Sequence, residues 1–228
     1  MDQSRSVATP QRLAPGLTTV VTVHGLWMRA GAMIALQRRL EGHGFTVQRF
    51  GYPTVHQSLE ANAKALADFI ERVPGDSVHL VAHSLGGVVI RAMLDHRIPE
   101  RLGRVVLLGS PLRGSQVGAR VTRLPGGRRI IGRTIIDLNA RGGFSDWPSA
   151  VPAGSIAGSV PFGTSWLVGG IYEANDGTVA VAETRVPGLA DHIVLPVTHF
   201  ALPWSKRVSD QARHFLEHGR FRHASSAE

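Results

Sequence analysis

The sequence predicts an α/β fold, with a mainly parallel central sheet and helices on both faces. Three observations predict it. Short β-branched or apolar runs alternate with stretches of helical spacing, the runs are apolar at consecutive positions as in strands buried on both faces, and Gly or Pro punctuates the junctions. With 228 residues, 43% of them hydrophobic, the chain can bury one such core. Residues 17–218 are expected to form a single domain between an extension (1–16) and a tail (219–228).

The elements follow in order. Leu17 to Val23 is a β-branched run that stops at His24-Gly25, and Gly31 to Glu41 carries helix formers with apolar Met33, Ile34, Leu36 and Leu40. Gly42 and Gly44 end that helix. Phe45 to Phe50 reads as a strand, and Ser58 to Val73 as a helix whose apolar face holds Leu59, Ala63, Leu66, Phe69 and Ile70. Pro74-Gly75 closes it. Strand Val78 to Ala82, helix Leu85 to Asp95 and strand Val105 to Leu108 come next, followed by a Gly- and Arg-rich region to about Gly154. Further strands are expected at Ser155 to Gly158, Trp166 to Gly169 and His192 to Pro196. A helix from Trp204 to His218 completes the domain.

Composition removes several chemistries. Without cysteine there is no disulfide framework, thiolate zinc site, iron–sulfur cluster or cysteine nucleophile. No stretch approaches the roughly 18 apolar residues of a membrane span, and residues 1–16 lack an apolar export core, so a cytoplasmic location is the default expectation. The formal charge of +8 is unevenly placed. Residues 97–135 hold nine arginines and one acid, Glu100, while the remainder carries 16 bases and 16 acids. Such a segment suits phosphate, anionic lipid or an acidic substrate, although solvated basic faces are common.

The chemistry concentrates in Leu80-Val81-Ala82-His83-Ser84-Leu85-Gly86-Gly87-Val88-Val89, where a strand runs into a helix. A serine on so tight a turn adopts strained backbone angles, which requires small residues two before and two after it. Ala82 and Gly86 meet that steric demand. The turn lifts the Ser84 hydroxyl above the sheet and aims the Leu85 amide at any oxyanion formed there.

With this nucleophile elbow the chain resembles an α/β-hydrolase, and within that fold the small bacterial lipase and esterase group, over roughly Leu17 to Leu216. Val20-Val21-Thr22-Val23-His24-Gly25-Leu26-Trp27 is similar to the family's strand followed by His-Gly-X. The resemblance makes the Leu26 amide the second oxyanion donor. It also implies the order Ser, then acid, then His. Ala174-Asn175-Asp176-Gly177-Thr178-Val179 resembles the family's acid-bearing turn, which makes Asp176 the expected acid. Asn-Asp-Gly is also ordinary turn chemistry, and Asp191 is the competing carboxylate. His199, in Leu195-Pro196-Val197-Thr198-His199-Phe200, falls after the last strand and is the expected base. His192 would lie at the far end of the sheet, and His83 would pack inside the elbow in support of Ser84. No pair of histidines has convincing metal-ligand spacing, and no metal or cofactor is expected.

The function these residues imply is serine carboxylic-ester hydrolysis through an acyl-enzyme on short- to medium-chain acyl esters. Gly109-Ser110-Pro111-Leu112-Arg113-Gly114-Ser115 resembles a family loop, and residues 112–154 are where a cap or lid would be inserted. That span is short, so a minimal lid and an open site are expected. Arg129 to Leu138 reads as one helix, either amphipathic lid or core-facing. Alternatives are a thioesterase or acyltransferase on the same fold, or a non-catalytic protein that binds an anionic lipid surface through residues 97–135. The expected partner is a small-molecule ester or lipid and not nucleic acid.

Overall fold

The computed structural model describes residues 16–223. The expected N-terminal extension, apart from Gly16, and the last five residues of the expected tail lie outside them. Six strands, β1 (Thr18–Val23), β2 (Thr46–Phe50), β3 (Ser77–His83), β4 (Leu102–Leu108), β5 (Ala153–Gly158) and β6 (Asp191–Leu195), form one sheet in the order β2-β1-β3-β4-β5-β6. Every neighbouring pair is parallel.

The consecutive apolar residues of the strands are explained by two covered faces. On one face Val20, Val81, Val106, Leu108 and Ile156 pack under helices α1 (Ile34–Glu41) and α7 (Lys206–His218), against Leu36, Leu40, Val208 and Phe215. On the other, Val21, Val23, Leu80, Ala82, Val105 and Leu107 meet Leu66, Ile70, Val89 and Met93 of α2 (Leu59–Arg72) and α3 (Leu85–His96). Each large aliphatic side chain buried in this way stabilises the fold by roughly 1.5–3 kcal/mol. Among the described residues no helix is long and apolar enough to cross a membrane.

Helix ends account for part of the arginine excess. The Arg101 guanidinium donates to the carbonyls of Ile70 (3.0 Å), Glu71 (3.2 Å) and Val73 (3.2 Å) at the C-terminus of α2. Arg104 donates to Leu216 (2.7 Å) and Glu217 (3.2 Å) at the end of α7. Unpaired carbonyls and the negative end of the helix dipole are what a cation satisfies there. The basic segment is therefore divided between structural arginines and a remainder near the cap.

Two expectations are corrected. Trp166 to Gly169 is not a strand. Thr164–Val168 forms a 3-10 turn between Gly163 and Gly169, because β6 already occupies the edge of β5 and a short apolar run has the same appearance at either period. Arg129 to Leu138 is not one helix either. The chain breaks at Gly132 (φ 81°) into α5 (Gly127–Ile131) and α6 (Arg133–Ala140), preceded by α4 (Gln116–Val121). Ile131, Ile135 and Leu138 are buried while Ile130 is exposed, so the pair mostly faces the core. Smaller shifts occur at helix starts: Ala30–Met33 is a 3-10 turn before α1, and α7 begins at Lys206.

Candidate active site

The strand order places a crevice where two loops diverge. β2 lies on one side of β1 and β3 on the other, with Val23 opposite Ala82, so the loops leaving the C-terminal ends of β1 and β3 run apart. In open parallel sheets this divergence forms the usual ligand site. Here the two loops carry His24-Gly25-Leu26 and Ser84.

Ser84 joins β3 to α3 with φ 54° and ψ −120°, a left-handed conformation that side-chain-bearing residues seldom adopt. The turn is held by close contacts. A Cβ at Gly86 would sit 2.6 Å from the Val23 carbonyl oxygen, and one at Gly25 would sit 2.9 Å from His83 Nδ1 and 3.1 Å from Ser84 Cβ. Ala82 is fully buried in the core beneath the turn. The buried His83 ring bridges Nε2 to the His199 carbonyl at 3.0 Å. Burial, then the neighbouring His199, hold its pKa well below the ordinary histidine range, so the ring is neutral and Nε2–H donates.

Asp176, Ser84 and His199 come together across this crevice. His199 Nε2 lies 2.9 Å from Ser84 Oγ, and His199 Nδ1 lies 2.7 Å from Asp176 Oδ2. Asp176 is 1% exposed and His199 3%, so water competes little for either bond. The other carboxylate oxygen, Oδ1, accepts the N–H groups of Thr178 (3.0 Å) and Val179 (2.7 Å), which fixes the rotamer. Asn175 pins the turn from beneath, its amide nitrogen donating to Ile171 (3.1 Å) and Glu173 (2.7 Å) while its oxygen accepts Gly177 N–H (2.8 Å). The competing residues are elsewhere. Asp191 and His192 begin β6 at the opposite end of the sheet, where Asp191 accepts Phe221 N–H (2.8 Å) and His192 meets the Thr184 hydroxyl (2.9 Å).

The two expected oxyanion donors lie on the segments that flank Ser84 in the chain and in the cleft. Leu85 is the first residue of α3, where the helix supplies no acceptor, and Leu26 follows the close approach at Gly25. Neither N–H is engaged by another backbone group among the described residues. The Leu26 segment is set by Trp27, at φ 58°, whose N–H donates to buried Thr54 Oγ1 (3.2 Å) and whose indole N–H donates to the Ile130 carbonyl (2.8 Å).

The hydroxyl and imidazole open into an apolar cleft of about 240 Å³. One wall is built by Val117, Gly118, Val121, Ile131 and Ile135 of α4–α6, and the other by Leu167, Val168 and Val179. The arrangement joins a serine hydroxyl to an imidazole and that imidazole to a buried carboxylate, beside an apolar slot.

Sequence reasoning missed Thr54 and Glu183. Buried Glu183 accepts Gln116 N–H (2.6 Å) and Ala180 N–H (2.8 Å), fastening the Asp176 turn to the first cap helix. Burial pushes its carboxyl up to about 7. Among the described residues one cluster, His214, Glu217 and His218 on α7, groups three ligating atoms; it is outside the cleft, and Glu217 is already held by Arg213.

Comparison with known proteins agrees with this fold. A family model described as "Alpha/beta hydrolase family" matches residues 20–221. No curated protein sequence gives a significant match. Among solved structures, the mature form of a Bacillus licheniformis lipase is 20% identical, with TM-score 0.67 over 87% of this chain and 90% of that one. A metagenomic carboxyl esterase is 18% identical, with TM-score 0.63 over 88% and 70%. A pyrethroid hydrolase from Sphingobium faniae is 17% identical, with TM-score 0.56 over 87% and 97%.

Proposed function

The chain belongs to the alpha/beta hydrolase family, and from that premise we propose that it is a serine carboxylic-ester hydrolase acting on short- to medium-chain acyl esters. The observation that carries the reading is the 2.9 Å contact between Ser84 Oγ and His199 Nε2 at the floor of an apolar cleft.

In this mechanism the Ser84 hydroxyl donates its proton to His199 Nε2 as Oγ attacks the ester carbonyl. Nδ1–H donates to Asp176, whose buried charge stabilises the imidazolium that forms. The carbonyl oxygen, now an oxyanion, takes the Leu26 and Leu85 N–H groups; each such donor is worth about 2.7–4 kcal/mol in related chemistry. The imidazolium returns its proton to the leaving alcohol, and the acyl group remains on Oγ. Water then attacks the acyl-enzyme with His199 as base, releasing the acid and restoring Ser84.

The cleft supports the acyl preference. Its walls are aliphatic, so the acyl chain loses water without leaving polar groups unpaired, while its modest volume favours short and medium chains. A fluorophosphonate probe should label the wild type and spare Ser84→Ala, and p-nitrophenyl esters of increasing length should peak below the long-chain members. An unlabelled wild type would leave only the non-catalytic alternative.

A further inference from the structure

The mouth of the cleft is more apolar than the cleft requires. Trp27, Leu124, Ile130, Leu167 and Phe200 line it and are nonetheless about half-exposed or more. In the same stretch of chain as Leu167 are Phe162 (77% exposed), Trp166 (81%) and Tyr172 (97%), which do not line the cleft and so contribute nothing to holding an acyl chain there. Exposed large apolar side chains gathered around one opening mark a docking site.

The same rim is positively charged. Arg123, Arg128, Arg129 and Arg133 are exposed on the stretch that bears Leu124 and Ile130. None has an acidic partner within 4.0 Å among the described residues, whereas Arg91, Arg97, Arg141 and Arg213 all do. The aromatic and basic segments are fastened together. Arg120 donates to the carbonyls of Val168 (3.4 Å) and Gly170, and the Trp27 indole donates to Ile130, so these loops form one surface around the opening.

We propose that this rim docks the molecule on an anionic lipid bilayer, with the cleft mouth against the membrane. Trp and Tyr side chains suit the headgroup level, where one end is apolar and the other wet, and unpaired arginines suit lipid phosphates. Charge complementarity selects this occupant. A second copy meeting the same face about a two-fold axis would set these arginines against one another, and the exposed aliphatic Leu124, Ile130 and Leu167 lose water against lipid hydrocarbon, which a polyanionic strand does not supply. Docking itself is independent of catalysis. That docking brings short- to medium-chain acyl esters gathered at the membrane surface to the cleft rests on the proposed hydrolase reading.

The test is cosedimentation of the full chain, as Ser84→Ala, with vesicles of phosphatidylcholine alone and of phosphatidylcholine mixed with phosphatidylglycerol. Binding is expected to the anionic vesicles and to fall with added salt. It should weaken about fivefold for each of Arg123→Gln, Arg128→Gln and Arg129→Gln, and about tenfold for Phe162→Ser combined with Trp166→Ser. In the Ser84 background these variants should hydrolyse p-nitrophenyl butyrate as the wild type does. Absence of vesicle binding, equal binding to both vesicle types, insensitivity to the arginine changes, or tighter binding to a single-stranded oligonucleotide would overturn the proposal. So would a self-associated dimer that shields Trp166 and leaves vesicles unbound. Because binding is read without turnover, failed fluorophosphonate labelling would count against the hydrolase reading alone.

Discussion

Asp176 and His199 are joined twice. The carboxylate Oδ2 meets imidazole Nδ1 at 2.7 Å, and the Asp176 carbonyl accepts the His199 backbone N–H at 2.8 Å. The second bond aligns the two loops whatever the charge state of the first, so position and electrostatics can be separated by substitution at one atom.

Asp176→Asn makes that separation. Its Oδ1 can still accept Thr178 and Val179 N–H, which turns the amide nitrogen toward Nδ1 and forces that ring nitrogen to accept. Nε2 then carries the proton and cannot take one from Ser84. We expect kcat to fall about 10⁴-fold, with near-ultraviolet circular dichroism and unfolding midpoint close to wild type. Retained activity would remove Asp176 from the mechanism.

Ser84→Gly should trade activity for stability. At φ 54° the serine is strained by about 1–3 kcal/mol, whereas glycine adopts such angles freely at an entropic cost of about 0.5–1 kcal/mol. Ester hydrolysis should vanish while urea unfolding shows a gain of about 1 kcal/mol. A loss of stability would mean that the hydroxyl contributes more to the fold than the strained turn costs.

How much of this was legible depended on whether the signal was local. The Ser84 turn could be read because its steric demand falls on Ala82 and Gly86, two positions away, and because an apolar strand and a helix flank it. His199 could be separated from His192 by position, one following and the other starting the last strand. The 3-10 turn at Thr164–Val168 does not show in the sequence because its three apolar residues, Trp166, Leu167 and Val168, fit either periodicity. Glu183 is silent because one of its partners, Gln116, lies 67 residues away, and the local one, the Ala180 N–H, is a backbone group that no side-chain pattern marks. The arginine count gave charge without partners, so Arg101 and Arg104 at helix ends looked the same as the exposed cap arginines.

Gly109→Ala should damage the site without touching its chemical groups. The glycine has φ 59°, and an added Cβ would lie 2.6 Å from Leu202 Cδ1 and 3.1 Å from both Asp176 Oδ2 and His199 Nδ1. Relief requires Leu202 to turn aside and the histidine–acid pair to give by a few tenths of an ångström. An ångström-scale displacement there costs on the order of 10²-fold, so a loss of about tenfold is expected, in kcat with KM little changed. An unaltered kcat would show that the pair accommodates the methyl group.

Glu183 should make stability depend on pH in the direction opposite to most carboxylates. Burial is the chief cause of its elevation, with the nearby charges of Glu173 and Asp176 adding to it, and the backbone donors Gln116 and Ala180 opposing. A carboxyl raised from 4.5 to about 7 holds its proton more tightly in the folded chain than in the unfolded one. Folding is therefore unpenalised below about pH 4.5, loses stability as the pH rises toward 7, and bears the full cost, about 3 kcal/mol, above that. Glu183→Gln removes the titration. Its single amide oxygen keeps one of the two N–H bonds, so a pH-independent loss of about 1 kcal/mol is expected as well. Urea unfolding at intervals from pH 5 to 8 should give a wild-type minus variant difference that falls with pH, crossing from favourable to unfavourable to the wild type. Other titrating groups common to both chains cancel in that difference, and a flat line would show that Glu183 ionises with an ordinary pKa despite its burial.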